Sequence, residues 1–279
     1  MAAMTAALLA GFTSCGNDEP ESESSVPPAD NPIEPIEHDF DITDSRLVFY
    51  DDFNQTSEIP DPNKWELCPQ SSPAWAYYLS EKYDQAFVRD GKLVLRAEKA
   101  GSIYLTGGIQ MKAEHSVMHV RVEVKAKFTK TAQGGWPAIW MMPSEPRYAG
   151  WPHCGEIDIM ERVNHENVIH HVIHTNYTDN YEYNAKPTST VTSTFNEDEY
   201  NIYAMEWDAE EMRFYVNGKL NLAYPNLHHS NEVAVRQWPF NTKFYLILNQ
   251  SGGQGWPGAF TDSELPAEMQ IDWVKITKL

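Results

Sequence analysis

Three carboxylates lie within one six-residue stretch, where Glu156, Asp158 and Glu161 are separated by apolar residues. If this stretch is a β-strand, Glu156 and Asp158 point to one face and the intervening isoleucine to the other. Strict alternation would bury Glu161 unpaired on the apolar face, which is very costly. One extra residue, in a β-bulge at Ile159 and Met160, would return it to the face of the other two carboxylates. The sequence therefore predicts three carboxylates on one face of a bulged strand.

Carboxylates arranged in this way suit the cleavage of glycosidic bonds. Retaining glycosidases use two carboxyl groups roughly 5–5.5 Å apart, one as the nucleophile and the other as acid and then base. A concave sheet would bring Glu156 and Glu161 toward that separation. Asp158, between them, would orient the nucleophile and modulate the proton balance of the pair. The charges on Glu156 and Asp158 would raise the pKa of Glu161 and keep it protonated as an acid. The structural alternative is a solvated acidic strand face.

Tryptophans in Gly- and Pro-rich segments flank the acidic stretch on both sides. Trp136 and Trp140 lie upstream, Trp151 leads into the stretch, and Trp256 follows a later strand. Sugar rings have apolar faces that stack on indoles, and the indole N–H can bond to hydroxyls. We therefore predict that these four side chains line a glycan cleft. The tryptophans within strand-like patterns are expected to fill the core: Trp65, Trp207 and Trp273.

Short strands account for most of the remaining pattern. Residues 119–128 alternate apolar and charged side chains, which predicts a strand with one wet face. Residues 212–216 and 219–222 flank Asn217 and Gly218, an arrangement typical of a hairpin with a type I′ turn. Further strand candidates are residues 47–53, 92–98, 168–174, 243–249 and 269–277. Many short strands without an internal repeat predict an all-β fold, an antiparallel β-sandwich.

The acidic stretch, Glu-Ile-Asp-Ile-Met-Glu, resembles the bulged E-x-D-x-x-E signature of glycoside hydrolase family 16. The segment Gly-Gly-Trp-Pro-Ala-Ile-Trp-Met-Met-Pro (134–143) is similar to that family's preceding Trp strand, and the resemblance to laminarinase-like members covers about residues 47–279. It implies a jelly-roll sandwich with a concave cleft, and endo-cleavage of β-linked glucans or galactans with retention. It also implies that Glu156 is the nucleophile, Asp158 the assisting acid and Glu161 the acid/base. Other residues that the resemblance places around the cleavage point are Trp136, Trp140, Trp256 and His174.

One departure from the family pattern concerns the substrate. Many family glucanases read Asn-Leu-Ala-Val-Gly-Gly where residues 249–254 read Asn-Gln-Ser-Gly-Gly-Gln, so Gln250 would present an amide to the substrate. We expect β-1,3-glucan or mixed-linkage β-1,3/1,4-glucan. The alternative is a galactan or a mucin-type O-glycan chain such as poly-N-acetyllactosamine. A second alternative is a non-catalytic glycan-binding module, although a lectin has no use for an intact carboxylate triple.

The composition restricts the partners. Lys and Arg total 21 against 40 Asp and Glu, a formal net charge of −19. Such a chain is unsuited to nucleic acid, because phosphate contacts need a cationic face, and it repels polyanions. A neutral polysaccharide fits best as the substrate. We expect the protein to be a monomer. No cofactor is required. Some family members carry a structural calcium, for which Asp272 could match one ligand.

Histidines and cysteines form no recognisable metal motif. His165, His170, His171 and His174 with Glu166 do not have the H-E-x-x-H spacing, so we interpret them as structural or sugar-contacting. The cysteines Cys68 and Cys154 could pair or remain two small buried hydrophobes.

The N-terminal region differs in composition from the remainder. Residues 1–15 are small and apolar, too short to span a bilayer, and typical of a signal-peptide core. The residues before Cys15 resemble a lipoprotein signal, and the acidic run after it resembles the surface-export signal of Bacteroidetes lipoproteins; a plain signal peptide is the alternative. Residues 16–45, rich in Pro, Glu, Ser and Asp, predict a disordered tether. The catalytic domain would span residues 46–279, held on the bacterial outer membrane by a lipid on Cys15.

Overall fold

The computed structural model describes residues 41, 43–180, 187–230 and 234–279. The signal segment with Cys15, and the tether up to residue 40, lie outside the described residues. The compact unit comprises Ile42–Leu279. None of the helices in the described part of the chain is long and apolar enough to cross a membrane.

Strands dominate this unit. In chain order they are β1 (Leu47–Asp51), β2 (Trp65–Leu67), β3 (Ala86–Arg89), β4 (Lys92–Ala100), β5 (Ile103–Met111), β6 (Val120–Lys130), β7 (Gly135–Pro143), β8 (Glu156–Glu161), β9 (Val168–His174), β10 (Thr190–Thr194), β11 (Asn201–Trp207), β12 (Glu211–Val216), β13 (Lys219–Pro225), β14 (Phe244–Gly252) and β15 (Ala267–Lys278). A single short α-helix, α1 (Asn176–Asn180), is present among the described residues. The 3₁₀ turns are Ala74–Ala76, Tyr83–Gln85, Ala113–His115, Ala234–Gln237 and Asp262–Glu264.

The named strands pair antiparallel, in the order β10-β9-β8-β7-β14-β5-β4-β15-β6-β11-β12-β13. Short strands extend this array, with β1 on β15, β2 on β5 and β3 on β4. The hairpin of β4 and β5 joins two halves, one from β10 to β5 and the other from β4 to β13. Apolar side chains from both halves form one continuous core. The predicted all-β antiparallel sandwich of jelly-roll type is therefore confirmed.

Several local predictions are also confirmed. In β6 the side chains at positions 120, 122, 124, 126 and 128 are buried. Asn217 and Gly218 both have positive φ, as a type I′ turn requires, and connect β12 to β13. The tryptophans predicted for the core are all buried: Trp65, Trp207 and Trp273. Cys68 and Cys154 are buried free thiols rather than a disulfide.

Candidate active site

The predicted β-bulge lies in β8. Ile139 and Trp140 of β7 are opposite Met160 and Asp158, so Ile159 has no partner in that register. The register with β9 also shifts between Asp158 and Glu161. Ile159 and Met160 are both fully buried in the core, so the extra residue turns the following Glu161 back to the opposite face. This confirms the prediction made from the cost of burying that carboxylate.

A histidine on the neighbouring strand β9 bonds to the bulge. The Nδ1 atom of buried His171 lies 2.7 Å from the carbonyl oxygen of Ile159, the residue that the bulge leaves unpaired. Burial lowers the pKa of His171 to about 4, so the ring is neutral and donates its single N–H there. The bulge is thus stabilised by a side chain as well as by packing.

Two of the three carboxylates receive an indole N–H. Trp136 Nε1 donates to Glu161 Oε1 at 2.9 Å, and Trp151 Nε1 donates to Glu156 Oε2 at 3.1 Å. Asp158, between them, is almost completely buried, and its Oδ2 atom accepts no hydrogen bond. The three acids therefore have different surroundings although they share one face of one strand.

His174 on β9 connects this group to a fourth carboxylate. Its Nε2 atom lies 3.5 Å from Asp158 Oδ2 and 3.9 Å from Glu156 Oε1. Its Nδ1 atom lies 2.8 Å from Oδ1 of Asp179, on helix α1. A proton on Nδ1 is donated to Asp179, which leaves Nε2 directed at the buried Asp158. Asp179 is not among the site residues predicted from the sequence.

Helix α1 holds Asp179 in place. Thr175 caps the helix, because its Oγ1 accepts the backbone N–H groups of Tyr177 and Thr178. The other carboxylate oxygen of Asp179 accepts from the Thr178 hydroxyl at 2.8 Å and from the Thr175 backbone N–H at 3.1 Å. The Thr-x-x-Thr-Asp pattern directly after His174 is the sequence signal that could have identified this residue.

Burial and mutual repulsion shift the ionisation of the carboxyl groups. Burial raises the pKa of Glu156 to about 7, although the charge of His174 opposes the shift. Burial, with the charges of Glu161 and Glu156, raises the pKa of Asp158 well above its usual range. Burial also raises the pKa of Glu161, although the hydrogen bond from the Trp136 indole acts to lower it. For His174, burial acts to lower the pKa, but Asp179 and Glu156 raise it overall. The site therefore retains protons at neutral pH.

Glu156, Glu161 and His174 line a cleft of about 760 Å³ that crosses the sheet from β10 to the segment after β2. Aromatic rings form much of its wall. Trp256 contacts His170 with ring centroids 4.7 Å apart, and Trp75 contacts Trp140 at the same separation. Trp140 is fixed by donating to Asn249 Oδ1 at 2.7 Å. The lining residues include Trp136, Trp140, Trp151, Glu156, Glu161, His170, His174, Tyr245, Ile247 and Trp256.

Gln250 is not brought to this cleft, contrary to the sequence-based expectation. Along β14 the side chains of Tyr245 and Ile247 line the cleft, so the even-numbered Gln250 points to the other face. It is buried, and its amide donates to the Ser251 carbonyl at 3.2 Å. The departure from the family pattern at this position therefore carries no direct information about the substrate.

The possible metal ligands are better explained without a metal. Asp272, the calcium candidate, lies 2.7 Å from the Lys92 ammonium and 3.0 Å from that of Lys125, and two cations do not suit a calcium ligand. Donor atoms of Glu156, Asp158 and His174 lie within 4.8 Å of one another, which by distance alone could hold a cation. We do not assign them as metal ligands, since Glu156 accepts the Trp151 indole N–H and His174 is hydrogen-bonded to Asp179.

The other histidines of the predicted cluster are separated. His165 contacts Thr131 and Glu264, each at 2.9 Å. His170 lines the cleft and contacts Glu166 at 2.7 Å. The His171 side chain is fully buried and bonds to Ile159, as described above. The structure therefore does not bring the four histidines of the sequence cluster to one point.

Known glycosidases are similar to this chain in sequence. The chain is 42% identical over 244 residues to a keratan-sulfate endo-1,4-beta-galactosidase of Sphingobacterium multivorum, a match covering 85% of this chain and 56% of that protein. It thus spans little more than half of that relative. A beta-glucanase of Rhodothermus marinus is 32% identical over 244 residues, covering 82% of this chain and 84% of the relative.

Solved structures of other proteins have a similar fold. One comes from work on endo-acting O-glycanases that prominent members of the human gut microbiota express to initiate mucin breakdown. It has a TM-score of 0.75 and 36% identity, covering 84% of this chain and 99% of that one. The laminarinase from Rhodothermus marinus has a TM-score of 0.72 and 28% identity, covering 84% and 97%. The family model for glycosyl hydrolases family 16 matches residues 74–275, which include the bulged strand and its flanking tryptophans. The chain therefore belongs to glycosyl hydrolase family 16.

Proposed function

We propose that the protein is a retaining endo-β-glycosidase that hydrolyses a neutral β-linked polysaccharide. The observation that carries this proposal is the bulged strand, which presents Glu156 and Glu161 at a tryptophan-lined cleft with Asp158 buried between them. A purely structural acidic face would be solvated and paired with cations. Here Asp158 and Glu161 are instead buried and Glu156 is half-buried, and all three have raised pKa values. Glu156 and Glu161 accept indole N–H groups, and such perturbed groups are typical of catalytic acids.

In the first step, the Glu156 carboxylate attacks the anomeric carbon while the bond to the leaving sugar breaks. Glu161 donates its proton to the departing oxygen, so that the sugar leaves as an alcohol. In the second step, the Glu161 carboxylate takes a proton from water, and the resulting hydroxide attacks the same carbon and releases Glu156. Two inversions give net retention, and neither step needs a cofactor.

Asp158 and His174 regulate the charge on the nucleophile. Because Asp179 accepts the Nδ1 proton of His174, the Nε2 atom faces the buried Asp158 Oδ2 at 3.5 Å without forming a hydrogen bond. Burial and the charges of Glu161 and Glu156 raise the pKa of Asp158, so this carboxyl keeps its own proton. That proton keeps the middle carboxyl from adding a full negative charge beside Glu156. Asp179 is therefore a positioning residue in this proposal, since it does not line the cleft itself.

For the substrate, we propose β-galactosidic chains of the poly-N-acetyllactosamine type first. Support comes from the 42% identity to the keratan-sulfate endo-galactosidase and the 0.75 TM-score to the structure from the O-glycanase study. The second candidate is β-1,3- or mixed-linkage glucan, supported by the beta-glucanase and laminarinase relatives.

A substrate panel tests this order. Reducing-sugar release would be measured on desulfated keratan, mucin O-glycans, laminarin and barley glucan, with Glu156→Gln as the inactive control. We expect internal cleavage of the galactosidic chains, with a much higher kcat/KM than on laminarin or barley glucan. Preferential release from laminarin would favour the glucan candidate, and no release from any polymer would favour a binding module.

The pH dependence follows from burial of the nucleophile. Glu156 attacks only when ionised, and its pKa is raised to about 7. Activity is therefore lost as the pH falls through that value, and we expect the acid limb of kcat/KM near neutrality. The Trp151 indole N–H lowers this pKa, so Trp151→Phe should move the limb upward. A limb near 4.5, the ordinary value for Glu, would contradict the assignment; tryptophan fluorescence would confirm that the protein stays folded.

Asp179→Asn is expected to lower kcat by up to about 10²-fold, the effect of misplacing a catalytic group by about 1 Å. KM should change little, because Asp179 is absent from the cleft wall. Steady-state kinetics on a soluble oligosaccharide separates the two parameters. The matched control is Asn180→Ala on the same helix, whose amide bonds only to Asn176 within the described residues. A wild-type kcat for Asp179→Asn would refute the positioning role.

We also propose that Cys15 carries a lipid and holds the enzyme, as a monomer, on the outer surface of a bacterial outer membrane. The small residues before this cysteine and the acidic run after it support the proposal. Labelling of the full chain by a fatty-acid analogue, lost in Cys15→Ser, would test it.

A further inference from the structure

A second groove lies beside the catalytic cleft. It has a volume of about 900 Å³ and lies between the segment after β2 and the start of β5. We call it the tyrosine groove; its lining residues are Gln70, Ser71, Ser72, Tyr77, Tyr78, Leu79, Ser80, Glu81, Lys82, Ser102, Ile103, Tyr104 and Leu105. Ser71 also lines the catalytic cleft, in a wall that includes Pro69 and Trp75. The two depressions therefore meet at one residue.

Backbone hydrogen bonds hold the two walls of the tyrosine groove together. The Thr106 N–H of β5 donates to the Tyr78 carbonyl at 2.8 Å, and the Ser80 N–H donates to the Thr106 carbonyl at 2.9 Å. The Gln70 amide donates to the Tyr77 carbonyl at 2.8 Å. The groove is thus formed before any ligand arrives, which reduces the ordering cost of binding.

Its aromatic rings support one another and leave apolar surface open. The rings of Tyr77 and Tyr78 meet edge to face at 5.0 Å, and those of Tyr78 and Tyr104 at 5.4 Å. Tyr77 is 45% exposed and the neighbouring Ile103 is 57% exposed. Apolar side chains this exposed on a fixed wall are available for stacking or packing against a ligand.

The chemistry of the lining fits a neutral glycan. Serines and Gln70 offer hydrogen bonds to hydroxyls, and the tyrosine rings offer stacking faces for sugar rings. The charges of Glu81 and Lys82 are opposite, so the lining favours neither sign. The net charge of −19 disfavours a polyanion such as nucleic acid. The groove is continuous with the catalytic cleft through Ser71. This favours, as its ligand, another segment of the polysaccharide that is cleaved in the cleft.

We propose that the tyrosine groove is an accessory glycan-binding site, which holds a further segment of the polymer whose reacting segment occupies the catalytic cleft. The identity of the glycan rests on the proposed function, whereas the existence of the site does not. A polymer held at one site is at a high local concentration near the other site. Two connected sites therefore strengthen the binding only of polymers long enough to reach both.

Two variants test the site, Tyr77→Ala and Ile103→Ser, each at an exposed position. In the Glu156→Gln background, we expect them to weaken binding to the best polymer of the panel by at least about tenfold, measured by affinity electrophoresis. In the active enzyme, kcat/KM should fall on the polymer but stay unchanged on an oligosaccharide short enough to fill the cleft alone. The matched control is Leu220→Ser, which alters a 50% exposed apolar residue on strand β13.

The outcomes separate this proposal from the proposed function. Unchanged polymer binding in both variants, or no polymer binding by the unaltered groove, would overturn the accessory site. An equal loss on the short oligosaccharide would also overturn it, since the groove would then belong to the catalytic cleft. If the enzyme binds polymer through Tyr77 but hydrolyses nothing, the groove stands and the catalytic proposal fails.

Discussion

Glu156→Gln is expected to lower kcat on the polymer by on the order of 10⁴- to 10⁶-fold, the range found when a hydrolase loses a member of its catalytic group. The amide keeps the size of the side chain and can still accept from the Trp151 indole, but it cannot form the covalent glycosyl intermediate. Affinity for the polymer should persist, because the cleft wall is unchanged. Reducing-sugar assays would measure kcat, and calorimetry on the same preparation would measure binding.

A smaller replacement identifies the chemical role of this position. In Glu156→Gly, added azide should attack the anomeric carbon of an activated substrate from the vacated side and give a glycosyl azide of inverted configuration. Glu210→Gln, at an exposed carboxylate that contacts His228, is the matched control and should behave like the wild type. Activity of Glu156→Gln within tenfold of wild type would place the nucleophile elsewhere, as would an azide product of retained configuration.

Glu161→Ala is expected to reduce kcat/KM on the polymer by about 10²- to 10⁴-fold, the usual contribution of general acid–base catalysis. An aryl glycoside with a good leaving group needs no proton, so it should still glycosylate Glu156. Turnover then stalls, because no base activates the water. A burst of the aryl alcohol and an increase in protein mass by one glycosyl unit would show the trapped intermediate.

Azide also provides the control for this second position. It needs no base, so it should restore turnover of Glu161→Ala and yield a glycosyl azide of retained configuration, opposite to the product expected from Glu156→Gly. Trp136→Phe keeps the Glu161 carboxyl and removes only its indole donor, and should still turn over the polymer. Full polymer activity in Glu161→Ala, or the absence of a burst, would contradict the acid/base role.

The central part of the site could be predicted because it depends on local rules. Period-two alternation and the cost of a buried carboxylate were enough to predict the bulge at Ile159. The gain from stacking was enough to assign Trp136, Trp140 and Trp256 to the cleft. These arguments rest on residue type and local sequence pattern, so they do not depend on how the sheet closes.

The residues that were missed or misplaced depend on tertiary packing. His171, which bonds to the carbonyl of the bulged residue, is recognisable only when β9 is known to pair with β8. Asp179 requires the turn of helix α1 to bring its carboxylate back to His174. Gln250 was assigned to the substrate from its neighbours in sequence, but Tyr245 and Ile247 line the cleft, so alternation along β14 turns Gln250 to the other face. Which face of β14 meets the cleft depends on how the sheet packs.

The cleft crosses the strands rather than following them, and this orientation has a consequence for how specificity can change. Its floor passes from His174 on β9 through the acids of β8 and the tryptophans of β7 to Tyr245 on β14. Neighbouring strands are about 4.8 Å apart, which is comparable with the length of one pyranose unit. Successive sugars therefore meet side chains from successive strands. A substitution on β14 can therefore alter recognition of one sugar unit while the carboxyl groups of β8 stay unchanged. Substrate specificity can change in this way without a change in the catalytic residues.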